Sequence, residues 1–185
     1  MSGYLTTQLR PGAILDAAAP RGDFMLGEGT GPVILLSAGI GLTPVLSMLH
    51  ELAVRDSDRE IWWIHGARRP RKHPLAAETH ALLTSLPHTH EHVFYTTARP
   101  EERRRTRAAD GRLTKDKVVA LSVPADATAY VCGPATFMAD MQHALTAAGI
   151  DPARIHTELF GAMPSINRQP GHPTSPQGRP EPARW

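Results

Sequence analysis

The sequence predicts an α/β fold: a doubly wound parallel sheet of five strands with helices on both faces. Two observations carry this. Short unbroken apolar runs rich in β-branched residues, such as "PVILLSAG", "EIWWIHGA" and "ATAYVCGP", read as strands buried on both faces. They alternate along the chain with longer stretches whose apolar residues fall at helical spacing, and that alternation is the signature of a parallel sheet wound by crossover helices.

The first 31 residues hold short apolar runs between turn formers, "AILDAAAP", "RGDFML" and "GEGTGP", and read as two short strands and a Gly-rich linker. "PVILLSAG" is the first strand of the sheet. In "TPVLSMLHELAVRD" the residues Val45, Leu46, Leu49, Leu52 and Ala53 share one helical face, and Pro44 sits in the first turn, where a missing N–H costs nothing. "EIWWIHGA" is the second strand, with Trp62 and Trp63 as packing residues, "PLAAETHALLTSLP" a helix and "HEHVFYTTA" the third strand. Residues 101–112 lack an apolar period and read as an exposed loop, while "TKDKVVALSV" reads as a short helix. The fourth strand is "ATAYVCGP", followed by the helix "ATFMADMQHALTAAG" ending at Gly149 and a fifth strand, "ARIHTELFG". Residues 163–185 are rich in proline and polar residues and read as a tail or linker.

Composition narrows the function classes. The chain has 185 residues, 41% hydrophobic and 21% charged, with no apolar run near the roughly 20 residues a membrane helix needs. Residues 1–12 lack the pattern of a secretion signal, so a cytoplasmic location is expected. The single cysteine, Cys132, excludes an internal disulfide and a cysteine-built metal centre. The net charge is only +2, with arginines gathered at 67–72 and 103–107, and aromatic residues amount to 5% with none between those arginines. No nucleic-acid partner is expected, because single-strand binders interleave cations with stacking rings.

Three loops carry candidate chemistry. In "AGIGLTP" the spacing from Gly39 through Gly41 to position 44 is that of the dinucleotide fingerprint, with Pro44 in place of its third glycine. Gly39 and Gly41 let backbone N–H groups approach a pyrophosphate, and Thr43 offers a hydroxyl at the helix start; a tight turn without a ligand is the alternative. The acidic residue that binds a ribose 2′-hydroxyl is missing at the end of the second strand, where Arg68 and Arg69 stand instead. These cations suit a 2′-phosphate, hence NADP, unless they simply face solvent. In "YVCGPATFM" the sharp exit at Cys132, Gly133 and Pro134 is expected to expose the cysteine. Cys132 with His65 or His156 as base would make a thiol hydrolase, and a buried core cysteine is the alternative. The alternating His88, His90 and His92 suggest a metal site, against a polar strand entrance; no metal is expected.

"LLSAGIGLTPVLSML", "YVCGPATFM" and "HTELFG", in this order, resemble the pyridine-nucleotide domain of the ferredoxin–NADP reductase superfamily. The resemblance runs over about residues 3 to 162, nearest to the reductase parts of flavohemoglobins and of MOSC and phthalate-dioxygenase-type oxidoreductases. In that family G-x-G-x-x-P is the normal loop. The resemblance implies that Gly39, Gly41, Thr43 and Pro44 line the NAD(P) pyrophosphate site, with Cys132, Gly133 and Pro134 beside the nicotinamide. It gives Glu158 and Phe160 the place of the family's closing E-x-aromatic, next to the flavin. "GYLTTQL" resembles a flavin-domain segment, which would put Gly3 and Thr6 at the FAD pyrophosphate.

The implied organisation is a C-terminal remnant of a flavin-binding β-barrel over 1–31, an NAD(P)-binding domain over 32–162 and a tail over 163–185. The family's R-x-Y-[ST] segment and an iron–sulfur cysteine cluster are both missing, so the chain reads as truncated. The implied activity is hydride transfer from NAD(P)H to FAD and onward to a one-electron acceptor, an iron–sulfur or heme partner. The alternative is a nucleotide-binding or partner-docking module without turnover.

Overall fold

Six strands lie side by side in one all-parallel sheet of order β4-β3-β2-β1-β5-β6. The structure, a computed structural model, describes residues 2–16, 22–106 and 108–159. Its strands are β1 (Val33–Ala38), β2 (Ile61–Ala67), β3 (Thr89–Tyr95), β4 (Ala109–Asp110), β5 (Thr128–Gly133) and β6 (Ile155–Leu159). Five of these are the expected strands; β4 is a two-residue addition at the edge. The helices are α1 (Ser2–Thr7), α2 (Leu42–Val54), α3 (Ala76–Ser85), α4 (Pro100–Thr106), α5 (Lys115–Ala120) and α6 (Ala135–Ala147).

β1 is central, and its alternate side chains feed two cores. Val33 and Leu35 join Ile61, Trp63, Tyr130 and Cys132 under the apolar stripe Leu42, Val45, Leu46, Leu49 and Leu52 of α2 and under Leu83 of α3. Ile34 and Leu36 join Trp62, Ile64, Ala129 and Val131 against Val118 of α5 and Met138, Met141 and Leu145 of α6. This double burial is why the strand sequences read as unbroken apolar runs. The helix α6 stops where Gly149 takes φ +98°, a backbone state that favours glycine just past a helix end.

The strand order puts the chain reversal between β1 and β5. The chain steps outward from β1 to β4, then crosses back to lay β5 on the other side of β1. In an open parallel sheet the loops leaving two such neighbours diverge and open a crevice at their carboxyl ends.

Two expectations are corrected. Residues 101–112 are not a loop throughout, because α4 covers Pro100–Thr106 and β4 covers Ala109–Asp110. The helix forms on end signals rather than on an apolar stripe. Pro100 begins it, Glu101 and Glu102 lie in the first turn, and the Glu102 carboxylate accepts the Arg99 backbone N–H at 2.9 Å, one half of a capping box. The two short strands expected over 13–26 do not form in the described parts, 13–16 and 22–26. A strand needs a ladder partner, and none lies beside them there.

The segment before β1 is held by side chains instead. Phe24 meets Tyr130 edge to face at 5.9 Å, the Tyr130 hydroxyl accepts the Gly27 N–H at 2.7 Å, and Arg59 donates to the Gly31 carbonyl at 2.7 Å and the Gly27 carbonyl at 3.3 Å.

Candidate functional site

At the carboxyl end of β1 the chain turns through a short 3-10 segment, Gly39–Gly41, straight into α2. Gly39 has φ +56°, and nothing lies within 4 Å of where its Cβ would be. Its backbone is therefore left-handed, bare and open on the outer side. Gly41 is buried and serves a different purpose: a Cβ there would meet the Cys132 carbonyl oxygen, stand 2.6 Å from the Cys132 carbonyl carbon and 2.7 Å from the Gly133 nitrogen. The second glycine thus lets the loop after β1 close onto the end of β5. Thr43 donates its hydroxyl to the Ile40 carbonyl at 3.1 Å, fixing the turn, and Pro44 occupies the first turn of α2 as expected.

From the β5 side come Cys132, Gly133 and Pro134. Gly133 is buried, and a Cβ there would stand 2.8 Å from the Phe137 ring and 3.3 Å from the Ala38 Cβ, so the position favours glycine. Pro134 is exposed, and its carbonyl accepts the Met138 N–H at 3.0 Å to start α6. Cys132 is fully buried, which corrects the expectation that the sharp exit exposes it. The carbonyl, not the side chain, faces the Gly41 loop. Cys132 Sγ donates to the Glu158 carbonyl at 3.2 Å, and burial, with the Glu158 charge second, pushes the thiol up to about 11. A thiol so protonated is a poor nucleophile. His156 stacks on Tyr130 and His65 bonds to Ser37, so the residues do not assemble a Cys–His pair.

Strand register aligns Glu158, Cys132, Ser37 and His65 in one row across four strands. Ser37 and His65 are fully buried and joined at 2.9 Å between Oγ and Nδ1. Burial, and the neighbouring His73 second, lowers His65 to about 3, so the ring is neutral. Among the predicted residues the structure therefore gathers Gly39, Gly41, Thr43, Pro44, Cys132, Gly133, Pro134 and Glu158 around the β1/β5 end. Ser37, His73 and Tyr95 carry no motif in the sequence; the one signal was a serine inside the otherwise apolar strand β1.

Arg68 and Arg69 follow β2, exposed and without an ion-pair partner among the described residues. The Arg68 carbonyl accepts both the backbone N–H and the hydroxyl of Thr97 at 2.9 Å, which docks the loop after β3 onto this basic loop. His90 and His92 stack on Trp62 with centroids at 4.1 and 5.6 Å, and His90 also meets Glu60 at 2.9 Å. His88 precedes β3, and no group of three metal-type side chains converges among the described residues. Gly3 and Thr6 lie on α1, a six-residue helix, and Phe160 lies outside the described residues.

An open parallel sheet whose glycine loop and helix start at the β1/β5 reversal defines a dinucleotide-binding α/β domain. The comparisons agree: the oxidoreductase NAD-binding domain family matches residues 35–143, and the chain belongs to that family. The flavohemoprotein of Bordetella pertussis is 37% identical over 163 residues, covering 87% of this chain and 40% of that protein. That of Chromobacterium violaceum is 36% identical over 166 residues, covering 89% of this chain and 41% of that protein. Among solved structures, the FAD/NAD-binding domain of nitric oxide dioxygenase from Vibrio cholerae superposes with a TM-score of 0.75 at 30% identity, covering 86% of this chain and 64% of that one. An Amycolatopsis cytochrome P450 reductase shares the fold with a TM-score of 0.71 at 23% identity, covering 86% of this chain and 47% of that one. The chain thus spans about two fifths of the curated relatives it matches. No helix among the described residues is long and apolar enough to cross a membrane.

Proposed function

We propose that this chain is the nicotinamide-nucleotide half of a cytoplasmic flavin-dependent oxidoreductase, passing hydride from NAD(P)H to FAD and electrons onward to a heme or iron–sulfur acceptor. The observation that carries it is the closure of Gly41 on the Cys132 carbonyl at the β1/β5 end, beside a Gly39 whose left-handed backbone has open space around it. Gly39, Thr43 and Pro44 would line the pyrophosphate. Gly133, Pro134 and Glu158 would border the nicotinamide, with Cys132 holding the end of β6 through the Glu158 carbonyl.

The buried thiol and the neutral His65 are packing and hydrogen-bonding groups here, and hydride transfer asks no general base of them. When bound, FAD would supply the two-electron acceptor that also releases electrons singly. In this reading residues 1–31 are the end of a flavin-binding domain, 32–162 the nucleotide domain and 163–185 a tether. Heme-carrying flavohemoproteins among the relatives support a heme acceptor. Arg68 and Arg69 would meet a 2′-phosphate, favouring NADPH.

A second reading, a nucleotide-binding module without turnover, is favoured by the described residues 13–16 and 22–26, which form none of the barrel strands expected there. One experiment separates the two. Purified protein is mixed with FAD, desalted and challenged with NADPH or NADH under anaerobic conditions while the visible spectrum is recorded. Retained flavin that bleaches supports the oxidoreductase; colourless protein with saturable nucleotide binding supports the binding module. Protein that binds no reduced nicotinamide nucleotide overturns both.

A further inference from the structure

The core of the sheet face under α2 and α3 is mostly apolar, and one line of polar side chains crosses its carboxyl end. Among the described residues only Ser37, His65, His73 and Thr79 are buried polar groups, and the first three run together. Ser37 Oγ meets His65 Nδ1 at 2.9 Å, the His65 and His73 rings stack at 4.3 Å, and His73 Nδ1 meets the Tyr95 hydroxyl at 2.9 Å. Stability does not account for this line. His65 Nε2 and His73 Nε2 are buried without a partner, and each such group costs folding energy that an apolar ring would not.

What the line joins is more telling. Ser37 stands two residues before Gly39. His65 lies two residues before the end of β2 and three before Arg68, and His73 directly follows the basic turn Pro70–Lys72. Tyr95 ends β3, and the next two residues, Thr96 and Thr97, donate their N–H groups to the Ala67 and Arg68 carbonyls at 3.1 and 2.9 Å. Every member therefore sits at the root of one of three loops at the carboxyl edge, and a buried hydrogen-bonded network fixes geometry more sharply than apolar packing does.

We propose that Ser37, His65, His73 and Tyr95 form a positioning spine that holds the glycine loop after β1 at a fixed distance from the basic loops after β2 and β3, so that one dinucleotide spans them. The proposal rests on the dinucleotide reading above. None of the four touches the ligand; they act through the loops. The inner pair, Ser37 and His65, sets the pyrophosphate loop that every nicotinamide nucleotide uses. The outer pair, His73 and Tyr95, sets the basic loops that only a 2′-phosphate would use.

The test titrates the full chain with NADH and NADPH by calorimetry and follows melting by circular dichroism for Ser37→Ala, His65→Phe, His65→Asn and Tyr95→Phe. Ser37→Ala and His65→Phe are expected to weaken both nucleotides about tenfold, and His65→Asn, which keeps a polar atom near Nδ1, to recover part of that loss. Tyr95→Phe is expected to weaken NADPH about fivefold while NADH binding stays unchanged, a split that general loosening of the fold would not produce. The spine is overturned if Ser37→Ala and His65→Phe bind both nucleotides as the wild type does, or if Tyr95→Phe weakens the two equally. If the wild-type chain binds neither nucleotide, the dinucleotide reading itself falls, and the spine with it.

Discussion

Gly41, in the turn after β1, abuts Cys132 at the end of β5, whose backbone fills the space a side chain would need at Gly41. The two glycines of the loop are consequently not equivalent. At Gly41 the obstacle is steric and made of backbone, which cannot swing aside. At Gly39 the space is open and the obstacle is the left-handed φ of +56°. Gly41→Ala is expected to part the β1 and β5 loops, costing about 1–3 kcal/mol as overpacking does and abolishing measurable nucleotide binding. Gly39→Ala is expected to cost about 1–2 kcal/mol through backbone conformation alone and to leave weakened but saturable binding. Thermal unfolding with NADH titration of both variants checks this; equal binding losses would show that the contact with Cys132 is not what shapes the site.

Acid should destabilise the protein from near neutrality downward. His65 titrates at about 3 in the folded chain against about 6.5 when exposed, and burial lowers His73 and His92 in the same direction. Their folded values are depressed, so the unfolded chain takes up the protons first. The stability they contribute is full above pH about 6.5 and is lost as pH falls toward 3, with a slope for His65 of roughly 1.4 kcal/mol per pH unit. Urea unfolding at a series of pH values measures the slope, and His65→Asn, which removes the titrating group, should flatten it.

Cys132 gives the opposite limb. Its folded value, about 11, lies above that of a free thiol. The neutral thiol is the favoured folded form, so its contribution to stability is full below pH about 8.5 and is lost as pH rises toward 11. Native protein should react with a thiol-specific disulfide reagent at least about a hundredfold more slowly than urea-unfolded protein at pH 8, because both burial and the small thiolate fraction oppose attack. Rapid stoichiometric labelling of folded protein would contradict the buried position.

The centre of the sheet was legible because β1, β2 and β5 are buried on both faces, and such strands announce themselves as apolar runs such as "VILLSA" and "IWWIHGA". The helix α4 was not, since it carries no apolar stripe and depends on Pro100, Glu101 and Glu102 at its start. Of the site, sequence located the loops but misjudged what their residues face. The exit at Gly133 and Pro134 suggested an exposed cysteine; only the register, which sets Cys132 beside Ser37 and Glu158 on the face covered by α2, shows it buried. The line from Ser37 to Tyr95 was invisible for a related reason: its members are 58 residues apart at the extremes and meet only through pairing of three strands and the turn at Pro70–Lys72.

The segment before β1 should open independently of the sheet. It carries no strand pairing in its described residues, and Gly27 is tied down by its N–H to the Tyr130 hydroxyl and by Arg59 bonding the Gly27 and Gly31 carbonyls. Tyr130→Phe keeps the ring that packs against Phe24 and removes only the acceptor, so the loss should be that of one hydrogen bond, about 1 kcal/mol. That energy belongs to a local opening and not to global unfolding. Amide exchange at Gly27 is therefore expected to quicken about fivefold in Tyr130→Phe while β1 and β5 amides exchange as before. Arg59→Ala, which removes two donors, should quicken exchange across residues 27–31 further. If either variant instead accelerates exchange in β1 or β5, the segment is cooperative with the sheet.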